Sequence, residues 1–132
     1  MGARTLNRVQ FTLERDVVRL FGRGTGAGAA NCTGIKGMGL GAAATAIDQT
    51  GTGLYTINLA DKWPGLLMFK ACVIDPGTPD DWEVTLVTET VASTKTLTIA
   101  VFKSGTLTDL TSGEKILFEI VVSNSTKLPK GY

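Results

Sequence analysis

The segment Asp48–Gly65, DQTGTGLYTINLADKWPG, decides the fold of this chain. After a glycine-rich turn its side chains alternate, so that one face of the segment carries large apolar residues, namely Tyr55, Ile57 and Leu59. A period of two predicts a β-strand with one buried face. The strand is expected to end before Pro64, because proline lacks a backbone donor. We therefore predict a strand between two turns, with Tyr55 and Trp63 packed into the core.

The remaining sequence predicts further strands separated by turns. Alternating side chains indicate strands at Leu6–Leu13, Val17–Phe21, Trp82–Thr88, Thr96–Lys103 and Lys115–Asn124. The nearly continuous apolar run Leu66–Ile74 has the length and pattern of a buried central strand. About eight or nine strands, with a turn roughly every eight to twelve residues, predict an all-β, single-domain antiparallel β-sandwich of the jelly-roll type.

Glycine and alanine dominate the segment that precedes Asp48. Its first part, Gly22–Gly28, is predicted to be an irregular loop. Its last part, Ala42–Ile47, could be a helical turn or a strand. We favour a strand, because the turn residues at Asp48–Gly53 would then join it to the following strand as a hairpin.

Length and composition are those of one domain spanning residues 1–132, with a net charge of +1. Residues 1–5 are expected to form a flexible arm and residues 125–132 a polar tail. A charge this small provides no general attraction to nucleic acid or membranes, and we expect neither as a partner. The sequence contains no signal-peptide core and no apolar run long enough to span a membrane. The chain is therefore expected to be made in the cytoplasm.

The residues that support most catalytic chemistry are missing from the sequence. There is no histidine, which excludes Ser-His-Asp and Cys-His nucleophiles and all histidine-containing metal sites. Cys32 and Cys72 could form at most one disulfide, and whether they pair is left open. The motif Gly24-x-Gly26-x-x-Ala29 fits a relaxed dinucleotide fingerprint, but the residues after it cannot form the required helix. We predict no catalytic residue, no cofactor and no metal, and we expect that the chain is not an enzyme.

An acidic cluster and three aromatic residues leave two interpretations open. Asp75, Asp80, Asp81 and Glu83 surround Trp82 in the sequence and could serve glycosidase chemistry or calcium binding, although acids in such a Pro-Gly loop are usually solvated turn formers. Tyr55, Trp63 and Trp82 could stack on sugar rings, although large aromatics in a small β domain usually pack in its core.

Basic charge is concentrated in the first quarter of the chain, at Arg4, Arg8, Arg15, Arg19 and Arg23. On alternating strands, arginines are most simply explained as solvent-facing residues. If charge has a functional role here, the basic end is expected to dock onto something larger.

With these residues in view, the chain resembles small virion proteins of tailed bacteriophages, of the capsid decoration or cement type. The likeness runs from Arg19 to Thr126 and lies in Gly34-x-x-Gly37-x-Gly39, Thr50–Trp63, Leu66–Ile74 and Ile116–Ser125. The resemblance implies a jelly-roll or C1q-like sandwich that forms homo-oligomers, with a trimer favoured over a dimer. It also implies binding to the major capsid protein on the outer surface of the capsid, and hence location in the virion.

The expected function is therefore a structural virion protein that binds and stabilises the outside of a bacteriophage capsid. The alternative is a glycan-binding module on a phage tail or head appendage, which would require an exposed Trp63 or Trp82. Contacts with the capsid or a neighbouring protomer are expected at the basic end and the glycine-rich segment, specifically at Arg4, Arg8, Arg19, Arg23, Gly24, Gly26 and Gly28.

Overall fold

A computed structural model describes residues 10–11, 17–77 and 79–125. These residues form ten strands and no helix: β1 (Gln10–Phe11), β2 (Val17–Thr25), β3 (Thr33–Gly37), β4 (Ile47–Gly51), β5 (Leu54–Asn58), β6 (Gly65–Ile74), β7 (Trp82–Glu89), β8 (Thr96–Lys103), β9 (Thr106–Leu107) and β10 (Lys115–Ser123). Of the predicted strand Leu6–Leu13, only β1 is described. The predicted arm, residues 1–5, and most of the predicted tail lie outside the described residues.

The strands make two antiparallel sheets that pack as a sandwich. Sheet 1 has the order β1-β2-β10-β6, with β3 also paired to β2. Sheet 2 has the order β4-β5-β8-β7, with β9 also paired to β8. Successive parts of the chain belong to alternate sheets. The last strand, β10, returns to sheet 1 and lies between β2 and β6. The predicted all-β, single-domain antiparallel sandwich is confirmed.

The core forms around the segment Asp48–Gly65. Tyr55 and Ile57 on β5 are fully buried, and the register places them opposite Ile99 and Leu97 on β8. Trp63 lies in the same cluster, where its backbone N–H donates to the Val91 carbonyl at 2.9 Å. The prediction that Tyr55 and Trp63 pack into the core is confirmed. Sheet 1 contributes alternate residues of β2 and β10, namely Val18, Leu20, Ile116, Phe118, Ile120 and Val122.

The predicted loop Gly22–Gly28 is wrong in its first half, because β2 continues to Thr25. The inner face of β2 loses its side chains at this point. A Cβ atom at Gly22 would lie 2.4 Å from the ring of Phe118, so the glycine makes room for a core aromatic residue. The glycines therefore do not end this strand, because the ring of Phe118 from the neighbouring strand β10 fills the space that side chains on β2 would occupy.

The predicted strand Ala42–Ile47 is also wrong. Residues 43–45 form a turn, and the strand β4 begins only at Ile47. A hairpin nevertheless precedes β5 as expected, with its turn at Thr52 and Gly53, where Gly53 has φ +68°. The first strand of the hairpin thus lies within the residues that were predicted to be the turn.

The predicted central position of Leu66–Ile74 is wrong as well. This run forms β6, which among the described strands pairs only with β10 and lies at the edge of sheet 1. The central place belongs to β10, because that strand pairs with both β2 and β6. As a result Leu67, Met68 and Ile74 are 53%, 47% and 45% exposed.

Candidate protein-binding face

The outer faces of the two sheets differ in chemistry. Sheet 2 presents mainly polar side chains on its outer face, including Thr56, Asn58, Glu83, Thr85, Thr96 and Thr98, with Leu54, Ala100, Phe102 and Leu107 as apolar exceptions. The outward positions of β2, β10 and β6 in sheet 1 are divided about equally between polar and apolar residues, and the apolar ones include Phe21, Met68, Cys72, Ile74, Leu117 and Val121. We call these residues, together with Arg19, Arg23, Lys70 and Glu119, the sheet 1 outer face.

An ion-paired triad lies in the middle of the sheet 1 outer face. The Arg19 guanidinium Nη1 lies 3.2 Å from Glu119 Oε2, and the Lys70 ammonium lies 3.0 Å from Glu119 Oε1. Glu119 is only 8% exposed although its strand position points outward. The hydrogen bond from Lys70, together with the positive charges of Lys70 and Arg19, lowers the pKa of Glu119. The triad therefore connects the three long strands β2, β10 and β6.

The triad predicts a pH-dependent contribution to stability. Because the pKa of Glu119 is lowered on folding, the ion pairs stabilise the protein above the ordinary value of 4.5, and the stabilisation is lost as the pH falls through the lowered pKa. We expect Glu119→Gln to cost about 1 kcal/mol at neutral pH, since the side chains of Arg19 and Lys70 are 40% and 67% exposed and solvent weakens both ion pairs. Urea unfolding from neutral to acidic pH should show this difference shrink to zero. A constant difference, or an equal loss in the exposed control Glu83→Gln, would contradict the assignment.

A shallow depression of about 390 Å³ adjoins the triad. Its lining includes Phe21, Lys70, Cys72, Leu117, Phe118 and Glu119. Beneath it the rings of Phe69 and Phe118 stack with their centres 6.4 Å apart, so the floor of the depression is packed core. An apolar hollow with ion-paired charges at its rim suits a protruding apolar side chain of another protein.

The structure places only part of the expected contact residues on this face. Arg19 and Arg23 lie on its β2 strand, with Arg19 engaged by Glu119. Arg23 is exposed and pairs across the strands with Lys36 of β3, so two like charges face each other. Arg4 and Arg8 lie outside the described residues.

Gly24 and Gly26 are buried in the folded chain, and the contacts expected there stay a prediction. The Gly26 N–H donates to the Glu114 carbonyl at 2.8 Å, and a Cβ atom at Gly26 would lie 2.4 Å from the Leu110 carbonyl oxygen. Gly28 differs, since a Cβ atom there would meet open space. The glycine-rich segment is thus packed against the loop before β10.

The acidic cluster serves local structure. Asp75 accepts a hydrogen bond from the Trp82 indole at 3.0 Å, and Asp80 accepts one from the Ser104 hydroxyl at 2.6 Å. The latter bond is the main cause of the lowered pKa of Asp80. The Lys103 Nζ atom lies over the Trp82 ring, 5.3 Å from its centre, in a cation–π contact. Across the described residues, no group of acidic or thiol side chains is placed to hold a metal ion.

The two cysteines are free thiols, so they do not form a disulfide with each other. Cys32 is buried, and burial raises the pKa of its thiol to about 11. Cys72 is exposed on β6, where it forms part of the sheet 1 outer face. Electrophilic thiol reagents should therefore modify Cys72 far faster than Cys32.

The expected contact residues included Arg19 but not Phe21, Leu117 or Glu119, although the sequence carries a signal for them. Val18 and Leu20 point inward, so the period of two sends Phe21 outward. The same alternation on β10 sends Leu117 and Glu119 outward. Large apolar residues on the polar side of an alternating strand are the signal that could have identified them.

Comparison with protein-family models, with curated proteins and with solved structures finds no match for this chain. No helix capable of crossing a membrane is found among the residues that the structure describes.

Proposed function

We propose that this chain is a structural virion protein that binds and stabilises the outer surface of a bacteriophage capsid, as a decoration or cement protein. Its partners in this proposal are the major capsid protein and further copies of itself. The observation that carries the proposal is the group of apolar side chains on the sheet 1 outer face, since the outer face of sheet 2 is mainly polar.

The sheet 1 outer face has the properties of a surface that docks onto another protein. Apolar surface exposed on a small domain is costly in water and often marks an interaction site. Arg19 and Lys70 are paired with Glu119 within the chain, so these three charges can be covered at a lower cost than isolated charges, whereas Arg23 lies opposite Lys36. The hydrogen-bonded sheet beneath holds the surface in one shape, so little ordering is required on binding.

The glycan-binding alternative receives no comparable support. It requires an exposed aromatic platform, but Tyr55 and Trp63 are 0% and 9% exposed. Trp82 is partly buried, with its indole N–H bound to Asp75 and its ring covered on one side by Lys103. These contacts account for the aromatic residues without a sugar ligand.

A matched pair of substitutions tests the proposal. Leu117 lies on β10 of sheet 1 and Thr98 on β8 of sheet 2, and both are partly exposed on the outer faces. We expect Leu117→Lys to weaken binding to capsids by at least about tenfold, because a charge would replace an apolar contact. Thr98→Lys should bind like the wild type.

Binding is measured by co-sedimentation with heads assembled without the protein, and the bound protein is located by imaging the particles. Unfolding in urea shows whether each variant is folded. Equal occupancy for both variants would contradict the proposed face. Absence of the protein from the head surface of purified particles would contradict the proposed function.

A further inference from the structure

One side of the sandwich is incompletely covered. Neither β6 in sheet 1 nor β7 in sheet 2 has a described neighbour on its outer side, and we call this side the β6–β7 edge. Among the residues that the structure describes, seven of the nine core-facing hydrophobic residues that are only partly buried lie on it: Leu66, Phe69, Ala71, Val73, Trp82, Val84 and Leu86. Within the same part of the chain, four of the five exposed large hydrophobic residues also lie there, namely Leu67, Met68, Ile74 and Val87.

The opposite side of the sandwich is protected in a way that the β6–β7 edge is not. Two of the outer strands there are short, with five residues each in β3 and β4, and β1 is described over two residues. The edge strands β6 and β7 contain ten and eight residues. Proteins usually protect long edges with charges or proline, but β6 carries a single charged residue, Lys70, while β7 carries Glu83 and Glu89. The apolar edge strand β6 is therefore the part of this edge that a partner strand would cover.

We propose that the β6–β7 edge binds a second copy of this chain, with the two β6 strands paired antiparallel about a two-fold axis. An axis normal to the sheets would extend sheet 1 across the dimer and bring the two β7 strands together in the other layer. Both rows of partly buried core residues would then be covered by the same contact.

The strand itself indicates the register of this pairing. A bulge at Leu66–Met68 interrupts the start of β6, which leaves Met68–Ile74 as the regular segment, with Ala71 at its midpoint. Pairing about Ala71 sets Phe69 opposite Val73 of the second copy on the inner face. On the outer face it sets Met68 opposite Ile74. Apolar residues therefore meet apolar residues at these positions on both faces, and Lys70 lies opposite Cys72 of the second copy.

The available area suits a dimer. A strand of ten residues is roughly 33 Å long, and two sheets with their outer side chains are roughly 20 Å thick, which gives a footprint of about 650 Å². That approaches the roughly 800 Å² per partner of stable interfaces. A closed ring of three or more copies would instead require the β6–β7 edge of each copy to pair with the short strands on the opposite side of the next copy. The edge thus points to a dimer, whereas the resemblance to cement proteins implies a trimer.

Two double variants test both the surface and the register. Met68→Lys with Ile74→Lys sets like charges opposite each other twice across the axis, whereas Met68→Lys with Ile74→Glu sets opposite charges there. We expect the dimer dissociation constant of the first to exceed that of the second by at least about tenfold. The measurement is sedimentation velocity on the purified full chain over a concentration series, with urea unfolding of each variant.

A control and a second readout accompany this comparison. Leu107, the fifth exposed large hydrophobic residue, lies on β9 away from the edge, so Leu107→Lys should leave the dimer unchanged. In the proposed register the two Cys72 residues lie diagonally across the axis, roughly 7–8 Å apart, so a short bismaleimide should link them. Linking should be lost in Met68→Lys with Ile74→Lys.

A monomeric wild type, a trimer, or identical behaviour of the two double variants would overturn the proposal. The inference deepens the self-association included in the proposed function, but its test uses the purified chain without capsids. A capsid-binding monomer would refute the dimer alone, and a dimer that ignores capsids would refute the capsid proposal alone.

Discussion

Gly26→Ala is expected to destabilise the fold by about 3 kcal/mol, the larger part of it from steric overlap. The added Cβ atom would lie 2.4 Å from both the carbonyl carbon and oxygen of Leu110, which are backbone atoms that no side-chain rotation can move. The loop around Leu110 is held by three hydrogen bonds, to Tyr55 Oη and from the N–H groups of Gly26 and Gly28. Moving the loop would weaken these bonds, at about 1 kcal/mol each.

Gly28→Ala is the matched control from the same segment. A Cβ atom there would meet nothing within 4 Å, and the only cost is its φ of +68°, which should amount to about 1 kcal/mol. Urea unfolding of both variants gives the comparison. If Gly26 served as a contact with the capsid rather than as a packing residue, Gly26→Ala would reduce capsid occupancy and leave the unfolding free energy unchanged.

Tyr55→Ala is expected to destabilise the protein by about 4 kcal/mol, the cost of leaving a large cavity at the centre of the sandwich. The side chain is fully buried, and its hydroxyl accepts a 2.8 Å hydrogen bond from the Leu110 N–H. Tyr55→Phe keeps the ring and removes only the hydroxyl, which leaves that N–H without its partner. We expect it to cost about 1–2 kcal/mol, so the two variants separate packing from hydrogen bonding.

Alkaline titration provides an independent check on Tyr55. Burial raises the pKa of its phenol to about 12, from an ordinary value of 10.0. The neutral phenol is therefore favoured by folding, and the associated stability is present below pH 10.0 and lost as the pH rises toward 12. The difference in unfolding free energy between wild type and Tyr55→Phe should shrink over this range. A difference that grows with pH would contradict the assignment.

Side-chain alternation in the amino-acid sequence is enough to assign the faces of individual strands. The inward positions of Tyr55, Ile57 and Leu59 follow from a period of two, because the direction of successive side chains depends only on the extended backbone at those residues. The same rule, applied to β2 and β10, also places Phe21 and Leu117 on the outer face. Turn residues indicate the boundaries of the strand around Tyr55 for the same local reason.

Side-chain alternation does not show which strands pair with each other in the sheets. The apolar run of β6 has the same pattern whether its uncovered side meets another strand of the sandwich or a second copy of the chain. Its edge position follows from the pairing of β10 with both β2 and β6, which joins residues that lie far apart in the chain. Likewise, the glycines of Gly22–Gly28 indicated a loop, and only the approach of Phe118 and Leu110 shows which of them are packing residues.

The amino-acid pattern alone thus specified the all-β class, the presence of a hairpin before β5 and the buried face around Tyr55. The tertiary structure alone decided the edge position of β6, the burial of Gly26 and the ion-paired, apolar outer face of sheet 1. The first group depends on backbone geometry and turn chemistry within a few residues. The second depends on which distant segments meet, and contacts of that kind leave no mark in a local pattern.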